Sequence, residues 1–196
     1  MDAARVLDLL AQLKARDIPV WLDGGWAVDA LLGEQTRPHD DLDFVARLDD
    51  SARIEQVLSG HSYVLAAGGP PLSFELVDGE GHQVDVHPAS FTPSGDGVYR
   101  MAKGEDWIYP AEAFAGVGRI LGREVPCLTA EVVMVSHTTA YALDEAYQRD
   151  VRALGERYGI PLPEFETAPP RPGGRGATAR TPRGRLGAPP ASAEAR

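Results

Sequence analysis

Apolar positions recur along the chain with two periods, and the change between them marks the elements. Val6, Leu9, Leu10 and Leu13 fall at i, i+3, i+4 and i+7, which predicts an amphipathic helix over residues 2–16, stopped by Pro19. Val20-Trp21-Leu22 is a short β-prone run that ends in a sharp turn at Asp23-Gly24-Gly25, and residues 26–32 read as a helix closed by Gly33. A polar loop, 34–40, leads into a strand over 41–46, where Leu42 and Phe44 alternate with Asp41 and Asp43. Asp49 or Asp50 can cap a helix running to about Ser59. Residues 63–66 and 72–77 are strand-like. The turn Asp78-Gly79-Glu80-Gly81 pairs the second of these with residues 83–87 as a hairpin. Residues 88–126 read as mostly loop, with short strands near Val98 and over 119–125. Helical patterning returns over 129–158, with Tyr147, Val151, Leu154 and Tyr158 on one stripe and a break near Asp144.

The predicted organisation is a core over residues 1–126, a helical segment over 127–166 and a disordered tail over 167–196. The tail holds six Pro, five Gly and seven Ala and almost nothing apolar to bury. Nothing in the sequence repeats. The whole chain, 196 residues with 43% hydrophobic and 24% charged, suits a globular domain and excludes a coiled coil or a collagen-like chain. No apolar run reaches membrane-spanning length, and the charged N-terminus does not read as a secretory signal. The single cysteine, Cys127, cannot form an internal disulfide, which fits a cytoplasmic location.

Charge sharpens the picture. The net charge is −10, but residues 167–196 carry six Arg and one Glu, so residues 1–166 hold 13 basic and 28 acidic side chains, a net of −15. Such a body repels nucleic acid, whose binding depends on phosphate neutralisation, and suits a small cationic molecule better.

Three sequence features fit one chemistry: Gly24-Gly25 after a strand, Asp41-Leu42-Asp43 on a strand, and Asp85 on a later strand. Singly, each has a plainer reading as a turn, a solvated strand face or an edge residue. Together, the i, i+2 spacing puts Asp41 and Asp43 on one face about 6–7 Å apart. In Gln83-Val84-Asp85-Val86-His87 the valines face inward, and Gln83, Asp85 and His87 face the other way. If the strands are neighbours, three carboxylates converge. Their mutual repulsion is relieved by a divalent cation, and oxygen-only ligands favour Mg2+. The bare glycine backbone can approach phosphates at a helix N-terminus, and Arg37 can bind phosphate oxygens bidentately. There is no GxxxxGK[ST] loop and no GxGxxG fingerprint.

The stretch WLDGGWAVDALLGEQTRPHDDLDF (21–44) resembles the signature of the nucleotidyltransferase superfamily. Its Gly-Gly-Trp-Ala-Val-Asp and Thr-Arg-x-His-x-Asp-x-Asp spacing is similar to the antibiotic-modifying branch, the lincosamide and aminoglycoside 2''-nucleotidyltransferases. GHQVDVHP (81–88), VPCLTAE (125–131) and HTTAY (137–141) resemble the lincosamide group, and the resemblance spans roughly residues 5–155. It implies an α/β (α+β) nucleotidyltransferase fold, a small mixed sheet flanked by helices. It implies that Asp41 and Asp43 bind two Mg2+ ions holding ATP or another nucleoside triphosphate. Asp85 becomes the third carboxylate, as metal ligand, general base or both. Gly24, Gly25 and Arg37 become the triphosphate cradle, with His39 beside it either on a phosphate or in solvent. The implied reaction is nucleotidyl transfer, AMP from ATP, to an antibiotic hydroxyl, and the implied assembly is a homodimer. The sequence departs from the lincosamide pattern at Thr138-Thr139 and in the Pro/Arg tail.

The remaining chemistry-bearing residues carry plainer expectations. His82 and His87 lie five apart, which sets them on opposite strand faces and disfavours zinc. Cys127 reads as a structural thiol and Trp26 as core. Glu131, His137, Tyr141, Asp144 and Glu145 lie on the C-terminal helical segment, facing acceptor or water. The competing functions are a same-fold enzyme acting on protein or RNA, as in toxin–antitoxin modules, and a non-catalytic nucleotide-binding module.

Overall fold

A computed structural model describes residues 1–101, 104, 106–139 and 145–162, with side chains at 138 and 139 left out. The first helix, α1 (Ala3–Lys14), is capped by the Asp2 carboxylate accepting from the Arg5 N–H at 2.8 Å, and it buries Val6, Leu9, Leu10 and Leu13 as its stripe requires. Then follow β1 (Val20–Leu22), α2 (Gly24–Leu32), β2 (Asp41–Arg47), a single 3-10 turn, and α3 (Ser51–Ser59), whose buried Ile54, Val57 and Leu58 form a matching stripe. Next come β3 (Val64–Gly68), β4 (Phe74–Val77), β5 (Gln83–Phe91), β6 (Gly97–Arg100) and β7 (Asp106–Tyr109). The chain continues through β8 (Gly116–Ile120) and β9 (Arg123–Cys127) to α4 (Ala130–Thr139) and α5 (Glu145–Tyr158).

Among the described residues the nine strands form one mixed sheet, ordered β3-β4-β5-β2-β1-β9-β8, with β6 paired to the far end of β5 and β7 to β6. The β2–β5 and β1–β9 pairs are parallel; the rest are antiparallel. The alternation read from the sequence is realised in β2 and β5. Leu42, Phe44, Val84 and Val86 are all 0% exposed, while Asp41, Asp43 and Asp85 on the opposite face are half-buried. Burial of each such apolar side chain is worth about 1.5–3 kcal/mol. None of the described helices is long and apolar enough to cross a membrane.

Two expectations are corrected. The helix after β1 starts at Gly24 rather than Trp26, because Asp23 is its N-cap and accepts the Gly24 N–H at 2.9 Å. Residues 88–126 are mainly strand, not mainly loop. The glycines of β8 masked the β signal, yet packing demands them: a Cβ at Gly118 would lie 2.5 Å from the backbone of Ala30 in α2, and one at Gly116 would lie 2.4 Å from the Cys127 carbonyl. Strand β5 also runs on to Phe91, through Pro88, because β2 and β6 continue beside it. The stripe on α5 holds in its middle, where Val151 and Leu154 are fully buried; Tyr158 is 42% exposed, although its hydroxyl donates to the Leu31 carbonyl at 2.9 Å. The helix break near Asp144, Tyr141 and the tail over 167–196 lie outside the described residues.

Candidate active site

Parallel pairing of β2 with β5 sets Asp43 directly opposite Asp85, with Asp41 opposite Gln83. All four side chains stand on one face of the sheet, one strand spacing apart, about 4.8 Å. The antiparallel β4–β5 pair then sets Glu75 opposite Asp85. A row of carboxylates, Asp43, Asp85 and Glu75, therefore crosses three adjacent strands. Glu75 went unnoticed in the sequence because its place depends on register.

The chain enters this face from β1. The Asp23 N–H donates to the Asp43 carbonyl at 3.0 Å, and the Asp23 carboxylate receives the Ser136 hydroxyl from α4 at 3.2 Å. Gly24 then adopts φ +61°, and a Cβ there would sit 2.3 Å from Asp43 Oδ2. A Cβ on Gly25 would sit 2.3 Å from the His39 ring and 3.0 Å from the Arg37 guanidinium. The glycine pair thus lets an acidic strand, a histidine and an arginine close on the first turn of α2, where free N–H groups gather.

Behind that turn lies a polar brace. Asp29 on α2 is 2% exposed and accepts from the Thr36 N–H (3.0 Å) and the Thr36 hydroxyl (2.6 Å), and it pairs with His39 Nε2 at 2.5 Å. His39 is 3% exposed and packs on Trp26 with ring centroids 4.9 Å apart. The solvated reading of His39 is therefore wrong: Asp29 and Trp26 bury it. This brace fixes the loop that carries Arg37. Arg37 in turn reaches Asp150 of α5, itself 4% exposed, at 3.0 Å. Asp29 and Asp150 were missed because their partners lie 10 and 113 residues away.

Repulsion shows in the acidic face. Burial, then the neighbouring Asp43 charge, pushes the Asp85 carboxyl up to about 7, against the Gln83 amide, which donates to both its oxygens at 2.9 and 3.0 Å. Burial and Asp43 likewise push Asp41 up to about 6. His87, on the same face of β5, stands 3.6 Å from Asp43. Burial lowers its pKa and Asp43 raises it, with a net rise. A strained, oxygen-only donor set of this kind fits a hard divalent cation.

The described trio whose ligand atoms lie within 4.8 Å of one another is elsewhere: Asp78, Glu80 and His82. There the cation is Arg5, whose guanidinium reaches Asp78 and Glu80, so the cluster is a lock between α1 and the β4–β5 turn. His82 and His87 thus have separate partners. Cys127 is fully buried, with its thiol pushed up to about 12 by burial, and is inert. Trp26 is core at 2% exposed, His137 is buried at 2%, and Glu131 and Glu145 are exposed.

A family model described as aminoglycoside-2''-adenylyltransferase matches residues 5–154. The chain belongs to that family. Among curated proteins, the chain is similar to a lincosamide resistance protein of Staphylococcus haemolyticus, 28% identical over 149 residues, 76% of this chain and 89% of that protein. A 2''-aminoglycoside nucleotidyltransferase of Escherichia coli is 33% identical over 140 residues, 68% of this chain and 73% of that protein. Among solved structures, a lincosamide antibiotic adenylyltransferase with lincomycin bound superposes with a TM-score of 0.71 at 25% identity, covering 82% of this chain and 99% of that one. ANT(2'')-Ia in complex with adenylyl-2''-tobramycin superposes at 0.64 and 22%, covering 80% and 89%. The fold is the nucleotidyltransferase fold, and the adenylyltransferase family makes this chain an enzyme of the nucleotidyltransferase class.

Proposed function

We propose that the protein transfers a nucleoside monophosphate, AMP from ATP, to a hydroxyl of a small antibiotic of the lincosamide or aminoglycoside type, and releases pyrophosphate. The observation that carries this reading is the register that lines up Asp43 with Asp85, two residues on from Asp41, beside the bare backbone of Gly24. The matches to a lincosamide resistance protein and to 2''-aminoglycoside nucleotidyltransferases support the acceptor class.

Each residue then has a task. The Gly25 N–H at the opening of α2 and the Arg37 guanidinium bind triphosphate oxygens, and Gly24, whose own N–H is taken by Asp23, lets them approach by lacking a Cβ. The Asp29–His39 brace and Asp150 keep Arg37 turned toward α2. Asp85, held in place by the Gln83 amide, takes the proton from the acceptor hydroxyl. The freed oxygen forms a bond to the α-phosphorus as the bond to pyrophosphate breaks. Asp41, Asp43 and Asp85 would hold Mg2+, which would supply neutralisation of phosphate charge.

Incubation with ATP, Mg2+ and lincomycin or tobramycin, read by mass spectrometry, tests the reading. The expected product carries one added nucleoside monophosphate. Labelling of added protein or RNA instead, or unaltered ATP with both acceptors, refutes it.

A further inference from the structure

An aromatic surface continues the carboxylate face. Strand parity and register put His87, Tyr99 and Trp107 on the same side as Asp85: Tyr99 pairs with Ala89 across β5–β6, and Trp107 with Tyr99 across β6–β7. The ring contact across β5–β6 agrees with that side for Tyr99: His87 meets it edge-on at 5.5 Å. Trp107 meets Tyr109 of its own strand at 6.3 Å. His87, Tyr99 and Trp107 are all half-buried, so each keeps surface for a ligand. His87 also stands 3.6 Å from Asp43, which makes the aromatic shelf continuous with the acidic row.

Charge on the shelf selects among acceptors. Asp106, beside Trp107, is on the opposite parity and is paired with Arg100 at 3.4 Å. Among the described residues the shelf itself presents no carboxylate. Glu75, opposite Asp85, is exposed and has no ion-pair partner among the described residues. A polycationic aminoglycoside needs several anions along its length. An amphiphile with one amine needs one carboxylate near the reacting hydroxyl and an apolar bed for the rest, since aromatic faces bind ring C–H surface and exclude water. Strand rise and spacing put the Cα atoms of Asp85 and Trp107 about 16 Å apart, and side-chain reach from both ends shortens this to the length of a two-ring molecule.

Resting on the proposed function, we infer that the His87–Tyr99–Trp107 shelf seats the body of a lincosamide-class acceptor, with Glu75 holding its amine and Asp85 facing its hydroxyl. Two measurements on the full chain test this. Tryptophan fluorescence is titrated with lincomycin or tobramycin without nucleotide, and KM values for lincomycin and ATP are measured in wild type, Tyr99→Ala and Trp107→Phe. Lincomycin is expected to give a saturable fluorescence change that Trp107→Phe abolishes. Tyr99→Ala is expected to raise the KM for lincomycin at least tenfold and leave the KM for ATP within twofold. Trp107→Phe, which exchanges one half-buried aromatic ring for a smaller one, keeps the test readable if Tyr99→Ala melts early. Modification of tobramycin in preference to lincomycin, or of lincomycin with a KM unmoved by Tyr99→Ala and a fluorescence change that survives Trp107→Phe, overturns the shelf and leaves the transfer reaction standing. Transfer to neither compound overturns both.

Discussion

Gly24→Ala isolates the contact on which the acidic face depends. Two penalties add at this position. A residue with a Cβ at φ +61° costs roughly 1–2 kcal/mol relative to glycine. The new Cβ also falls 2.3 Å from Asp43 Oδ2, 2.8 Å from its Cγ and 3.0 Å from its Cβ, so the whole side chain must shift. Overpacking of this kind costs about 1–3 kcal/mol. A total near 3 kcal/mol lowers the Tm of a domain this size by roughly 6–12 °C. Gly33→Ala is the internal control. Gly33 also has positive φ, +81°, but no atom within 4 Å of its Cβ position, so only the backbone penalty applies. Scanning calorimetry of the two variants therefore separates the clash from the strain. Pyrophosphate release gives the functional half: Gly24→Ala should lose at least tenfold in kcat through displacement of Asp43, and Gly33→Ala should keep wild-type turnover. Equal Tm values for the two variants, with turnover retained in both, would refute the claim that Gly24 is bare in order to admit Asp43.

Asp85→Asn should lower kcat at least 10²-fold, the scale of a general base; near wild-type turnover would end that assignment. Because Asp85 and Asp41 titrate higher in the folded state than the usual carboxylate near 4, the native protein holds extra protons between about pH 4 and 7. Stability without divalent ions should therefore fall as pH rises through that window, by up to the order of 4 kcal/mol for Asp85. Asp85→Asn should flatten the fall in Tm measured in EDTA, and an unchanged slope would contradict the repulsion. Asp41→Asn or Asp43→Asn should abolish Mg2+-dependent ATP binding in calorimetric titration, and an unchanged isotherm would remove them from the site. Asp29→Ala leaves the buried His39 ring and Thr36 without their hydrogen-bond partner and should cost about 1–3 kcal/mol by denaturant unfolding; no measurable loss would mean the brace carries no strength.

Period-2 alternation made β2 and β5 legible, because a strand with one buried face must place polar residues on the other. It located Asp41, Asp43 and Asp85 on their strands but could not say that β2 and β5 are neighbours; that required the register. Glu75 was opaque for the same reason. Short strands near Val98 and over 119–125 were legible, but the start of β8 was hidden because Gly116 and Gly118 satisfy backbone contacts with Cys127 and Ala30 rather than any local preference. The sequence left His39 between a phosphate and solvent because its partner, Asp29, looks like one more charge on a surface helix, whereas α2 is buried on nearly every side. Cys127 and Trp26 were read correctly because each is flanked by apolar residues that have nowhere else to go.

The ion pair between Arg37 and Asp150 has a consequence for how such a chain can be recombined. Position 37 lies in the loop between α2 and β2 and position 150 in the last described helix, yet neither charge can be buried without the other. A chimera that takes its front part from one relative and its final helices from another inherits a stranded ion unless both positions travel together. Swapping those helices alone would then disturb the loop that carries Arg37, at the far end of the chain from the exchange.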